Sequence, residues 1–189
     1  MLTLGHLITP FISAVASGKV EVYNEFSLQH ELGIFLRSSF PQLKVQFERN
    51  VSFFFPDKSS FTKREIDVSV FSPVDKSLEF ALELKFPRNG QHPEQMFSFC
   101  KDIAFAEELA AASFSRSALV ISADDHLFYS GSTEGIYGFF RGGKPIHGRI
   151  QKPTGKKDDE VSIQGRYTVE WKPITGPLKF AIVEVGNGR

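Results

Sequence analysis

The chain has a single cysteine, no excess of charge and no long apolar run. With Cys100 the only cysteine in 189 residues, an internal disulfide and a cysteine-built zinc site are excluded, which suits a reducing compartment, the cytoplasm. Basic and acidic residues number 22 each, so no global field draws the molecule to nucleic acid or to an anionic membrane, and any such attraction has to be local. The apolar N-terminal stretch MLTLGHLITPFISAVASG is interrupted by Gly5, His6 and Pro10 and has no Lys or Arg ahead of it. That argues against a secretory signal, and it falls short of the about 20 apolar residues that cross a bilayer. The five His residues show no paired spacing, and no G-x-x-x-x-G-K-[ST] occurs. Neither a zinc helix nor a phosphate-cradling loop is expected.

What is present points to a packed globular chain. Hydrophobic residues make up 41% and include twenty Phe, and the length suits one domain over 1–189 with a sizeable core. Leu4, Leu7, Ile8, Phe11, Ile12 and Val15 fall at the spacing of an amphipathic helix that Pro10 kinks or begins. A second helix is predicted from near Asn24 to Ser39, ending before Pro41. Strands follow over 45–55, 64–71 and 78–86, with a turn at 72–76 between the last two. Pro93 opens a long helix to about Ser113, and ALVIS at 118–122 reads as a strand buried on both faces. Helix, three strands, helix, strand predicts an α/β or α+β domain with a central mixed sheet flanked by helices. Segment 141–157 reads as a basic loop, and 167–174 with 178–185 as a closing C-terminal β-hairpin.

The chemistry concentrates on two strands. Alternation turns Ile66, Val68 and Val70 to one face and Glu65, Asp67 and Ser69 to the other; on the next strand Ala81, Glu83 and Lys85 oppose Phe80, Leu82, Leu84 and Phe86. Pairing through the 72–76 turn brings Asp67, Glu83 and Lys85 together on one face. Two adjacent carboxylates repel unless a cation lies between them, and Mg²⁺ is held through one or two carboxylates with water in its other positions. A solvated strand face with a cross-strand ion pair is the plainer alternative.

Asp67 followed on the adjacent strand by Glu83-Leu84-Lys85 resembles the PD-(D/E)XK nucleases, the restriction-endonuclease-like superfamily, over residues 24–122. Glu31 matches the helix position where many members place a further acid, and Arg64-Glu65-Ile66-Asp67 is similar to the basic-x-x-Asp entry to the motif. Gln95-Met96-Phe97-Ser98-Phe99 is similar to the Gln-x-x-x-Tyr element of the RecB-like branch, with Phe99 where that branch has Tyr. No Pro precedes Asp67. The resemblance implies an endonuclease that hydrolyses phosphodiester bonds in DNA, with RNA left open, using Mg²⁺ or Mn²⁺. Asp67, Glu83, Glu31 and the Leu84 carbonyl would hold the metal, and Lys85 would orient the attacking water. Gln95 would support the site, Glu65 is a substitute for Asp67, and a homodimer is an assembly that the family uses. The other class left open is a catalytically inactive module with the same fold that binds nucleic acid or a protein.

Some features stand outside that resemblance. Residues 141–157 carry six basic residues and no acid; Arg141, Lys144, Arg149, Lys152, Lys156 and Lys157 are candidate phosphate contacts, which give affinity but no sequence reading. Arg64, Arg88 and Lys101 extend that patch toward the acids. Asp124-Asp125-His126 reads as a turn after a strand rather than a second metal site. Cys100 reads as a small core residue.

Overall fold

The computed structural model describes residues 3–57, 60–75, 77–88, 90–155 and 159–186. Thr3 caps α1 (Leu4–Ala16) by accepting from the His6 N–H, and the six predicted apolar positions are all buried. Pro10 lies inside α1 on its exposed side. There, water can serve the carbonyl that loses its donor, so the helix neither starts nor stops at Pro10. Asn24 caps α2 (Glu25–Ser39), accepting from Ser27 at 2.7 Å. Leu28, Leu32 and Leu36 form its buried stripe.

β1 (Lys44–Asn50) is shorter than the strand expected over 45–55, because the Asn50 side chain accepts the Ser52 N–H and turns 51–53 into a 3-10 helix. β2 (Glu65–Phe71) and β3 (Leu78–Lys85) follow as a meander, with the Ser72 N–H bonded to the Ser77 carbonyl across the turn. Lys76 of that predicted turn lies outside the described residues. α3 (His92–Ala112) crosses over to β4 (Arg116–Ala123), which pairs parallel with β3. After a 3-10 turn at 126–128 come α4 (Tyr137–Arg141), β5 (Ile146–Gln151), β6 (Glu160–Tyr167), β7 (Lys172–Thr175) and β8 (Leu178–Gly186).

The main sheet has the order β1-β2-β3-β4-β8-β7 and is antiparallel except for the β3–β4 pair, so it is mixed. α1 and α2 cover one face, packing Leu7, Phe11, Leu28 and Leu32 against Val68, Val70, Phe80 and Leu82. α3 covers the other face, with Phe99 and Ile103 against Leu119, Ile121 and Val183.

Two expectations for the C-terminal third are corrected. The basic loop contains a strand: Ile146 and Ile150 of β5 pack with Ile163 of β6 on α3, as a two-stranded ribbon apart from the main sheet. Gly148, at φ +75°, sits where the ribbon's register shifts, a backbone state open to glycine. The C-terminal hairpin is β7–β8 rather than 167–174 with 178–185, since Tyr167 ends β6; the hairpin is also no appendage, because β8 pairs with β4 inside the sheet. Among the described residues no helix is long and apolar enough to cross a membrane.

Candidate active site

Val68 faces Leu82 as the last regular pair of β2 and β3 before the strands open. Beyond it, side chains take over the backbone bonds. The Leu84 N–H donates to Asp67 Oδ2 at 2.7 Å, the Asp67 N–H points at Glu83 Oε1 at 3.4 Å, and Gln29 of α2 donates to the Asp67 carbonyl at 3.0 Å. Three of the strand groups at the opening are thereby answered. The opening also ends the alternation expected for β2. Ile66 packs on the α3 side with Val51, Ala81 and Phe105, whereas Val68 and Val70 pack on the α1–α2 side.

Around the opening lies a mixed cluster of charge. Glu83 is 1% exposed and Asp102 of α3 is 3% exposed. Lys63, in the segment leading into β2, bridges them, paired with Glu83 Oε2 and 3.0 Å from Asp102 Oδ1. Its segment is anchored by rings: Phe55 stacks on Phe61, Phe61 meets Phe105, and Lys63 Nζ lies 5.4 Å over Phe105. Lys85 Nζ lies 3.6 Å from both Asp102 Oδ2 and Glu25 Oε1 and donates to the Leu84 carbonyl at 3.0 Å. Glu25, the first residue of α2, accepts the Phe86 N–H at 3.2 Å.

Burial and charge set the protonation here. Burial, reinforced by the Asp67 charge, holds the Glu83 carboxyl well above its ordinary value, with Lys63 pulling it back. Burial likewise raises Asp102 against the pull of Lys85 and Lys63. For both lysines burial works toward neutrality and is outweighed, by Glu83 and Asp102 at Lys63 and by Asp102 and Glu25 at Lys85, so each is raised and stays an ammonium.

Four carboxyl groups (Glu25, Asp67, Glu83, Asp102) thus share two ammonium groups, and would carry an excess of two negative charges only if Glu83 and Asp102, which burial pushes toward the neutral form, were both ionised. Asp102 Oδ2 is buried without a hydrogen bond. Beside them, Glu25, Phe26, Gln29, Glu48, Asp67 and Leu84 line a cleft of about 50 Å³, room for several waters. Among the described residues no three His, Cys, Asp or Glu side chains form a ready cluster for a metal. Asp67 and Glu83 offer the oxygen donors that a hard divalent cation takes, but Glu83 Oε2 is already paired with Lys63 and Asp67 Oδ2 already accepts the Leu84 N–H.

The other sequence candidates lie variously. Glu31 is half-exposed on another side of α2, 4.0 Å from His30 Nδ1, and does not line the cleft. It shares the edge of Phe35, which is only half-buried; the acid on the Leu28–Leu32–Leu36 stripe is Glu25, three residues before Leu28. Glu65 is exposed and faces Asn50 across the β1–β2 pair. Gln95 donates to the Arg88 carbonyl at 3.2 Å. Arg64 is exposed just before β2. Arg88 pairs with Asp124 at 3.1 Å and donates to the Tyr23 carbonyl, and Lys101 pairs with Asp159 at 2.8 Å.

Arg141 spends its donors on the Leu127 and Ser132 carbonyls and so braces a loop. Lys144, Arg149 and Lys152 share a groove elsewhere, and Lys156 and Lys157 lie outside the described residues. Asp125 accepts the Leu127 N–H at 2.9 Å and pairs with His92, and Cys100 is fully buried.

Lys63, Asp102 and Glu25 escaped the sequence reading. Asp102 had a signal, standing three residues after Phe99 inside the buried face of α3; Lys63, in a loop, had none. No protein-family model, curated protein or solved structure matches this chain.

Proposed function

We propose that this chain is a metal-dependent endonuclease with a restriction-endonuclease-like core, hydrolysing phosphodiester bonds in DNA. The observation that carries the reading is the opening of β2 from β3 at Asp67 and Glu83, with the buried ammonium of Lys85 beside the same opening. Asp67 and Glu83 would hold the divalent cation. When bound, that cation supplies polarisation of the phosphoryl oxygen and a more acidic coordinated water. Lys85, kept protonated by Asp102 and Glu25, acts as a fixed positive charge toward the developing phosphorane rather than as a base. Gln29 fixes the Asp67 backbone, and Asp102 and Glu25 orient Lys85. Phe26, 81% exposed at the rim of the cleft, meets any chain that enters it.

A second reading, a non-catalytic binding module, is favoured by one contact. Lys63 already neutralises Glu83, so the acid is satisfied by the protein itself. The two readings separate in a cleavage assay on duplex, branched and single-stranded DNA and on RNA with Mg²⁺ or Mn²⁺. The nuclease reading expects cutting that falls by about 10²–10³-fold in Lys85→Met and is abolished in Asp67→Asn and Glu83→Gln. Absence of cutting on every substrate, or equal cutting by all four proteins, decides against it.

A further inference from the structure

A second site lies outside the acid cluster, between α4 and the β5–β6 ribbon. The groove there has a volume of about 410 Å³, within the range of sites that take small molecules or single residues of a polymer. Its floor is apolar, made by Ile136, Phe139 and Ile150, and its rim carries Lys144, Arg149 and Lys152 with no carboxylate among the lining residues. Three cations therefore surround one apolar floor, with Glu160 beside Arg149 and Glu94 within electrostatic reach of Lys152.

The walls are braced in advance. Arg141 ties α4 to the Leu127 and Ser132 carbonyls, the Trp171 indole donates to the Phe140 carbonyl at 2.8 Å, and the Lys144 N–H closes on the Gly138 carbonyl at 3.0 Å. Arg149 does have a partner, Glu160 at 2.9 Å, but both side chains are exposed, at 78% and 40%. Such a pair is weak and exchanges readily for a stronger anion.

We propose that this groove binds single-stranded nucleic acid, its phosphates against Lys144, Arg149 and Lys152 and a base against Phe139. Two properties select this ligand. Bare phosphate has no use for the apolar floor, and an intact duplex keeps its bases stacked inside, whereas an unpaired strand offers a flat ring together with successive phosphates for three spaced cations. Lys144 Nζ already lies 5.1 Å over the Phe139 ring, the arrangement in which a stacked base and a cation share one aromatic face. The site needs no metal and is separate from the acid cluster.

The test is fluorescence anisotropy with a labelled oligothymidylate and the full chain in EDTA, over a series of salt concentrations. Binding is expected with a log–log salt slope near −2, about 0.7 for each of three phosphates. The triple variant Lys144→Gln/Arg149→Gln/Lys152→Gln should flatten the slope by about 2. Phe139→Leu keeps an apolar floor and should weaken binding about 5- to 100-fold, while Lys19→Gln, on the far α1–α2 turn, should change nothing. The inference is overturned if wild type does not bind, if the triple variant binds with an unchanged slope, or if a duplex or an acidic peptide competes as well as the single strand. Because no divalent cation is present, the result is independent of cleavage. Groove variants that bind normally while wild type cuts would sink this site alone, and normal groove binding without any cutting would sink the nuclease alone.

Discussion

Replacing Lys63 by Met tests the electrostatic account of the acid cluster. The substitution keeps a long apolar stem over Phe105 and removes the ammonium that bridges Glu83 and Asp102, which are 1% and 3% exposed. Breaking a buried pair by deleting one partner costs about 3–5 kcal/mol, because the remaining charge is stranded. The Lys63 side chain is 32% exposed, so water screens part of this, and about 2–4 kcal/mol is expected where Glu83 is ionised. In thermal unfolding that is a fall in Tm of roughly 4–15 °C for a chain of this size.

The pH dependence gives the sign. Burial and Asp67 hold the folded Glu83 carboxyl well above its ordinary 4.5, so the folded state keeps a proton that the unfolded state has already released. Stability from this source is full below that ordinary value and is lost as pH rises through the folded one. Removing Lys63 raises Glu83 further. The gap between wild type and Lys63→Met should therefore be small below the ordinary carboxyl value and widen as pH rises through the folded ones. If the pair also holds a divalent cation, Mg²⁺ at 100 times its Kd should return about 2.7 kcal/mol to the variant. A penalty under about 0.5 kcal/mol at every pH would show that water, not Lys63, balances Glu83, and would refute the reasoning.

Three further outcomes are expected. In a Mn²⁺ calorimetric titration, Glu25→Gln should weaken binding severalfold through the loss of charge beside Lys85 while Glu31→Gln binds as wild type does; the reverse order would return the α2 acid to Glu31. Cys100 is fully buried, and burial with the Asp102 charge pushes its thiol up to about 12, so a disulfide reagent near neutral pH should label it only at the rate of unfolding. Rapid labelling of the native protein would contradict that burial. Gly138→Ala places a Cβ 2.8 Å from the Thr133 carbonyl oxygen, a backbone atom that must move, and should cost about 1–3 kcal/mol by denaturant unfolding; a neutral result would mean that the 133–138 turn yields freely.

Much of the fold is written locally. The leucine stripe of α2, the Asn24 cap, Pro93 at the head of α3 and the apolar run of β4 are short-range signals, and their elements form within a residue or two of where those signals point. Local pattern also set the β2–β3 register as far as Val68 opposite Leu82, which leaves Asp67 and Glu83 next to each other at the opening. What it could not supply was any relation between distant segments. Lys63 and Asp102 meet 39 positions apart, Glu25 reaches Lys85 only because α2 packs across the sheet, and β8 enters beside β4 from the far end of the chain. The Ile66 side switch likewise answers to tertiary packing, which outweighs weak strand preference, whereas the strand break at 50–53 has a local cause, the Asn50 cap on the Ser52 N–H, set inside an apolar run that reads as strand. The sequence by itself determined which residues could carry charge on a strand face. Which cation would neutralise them was decided by packing alone, since a buried carboxylate takes whichever ammonium the folded chain brings within reach.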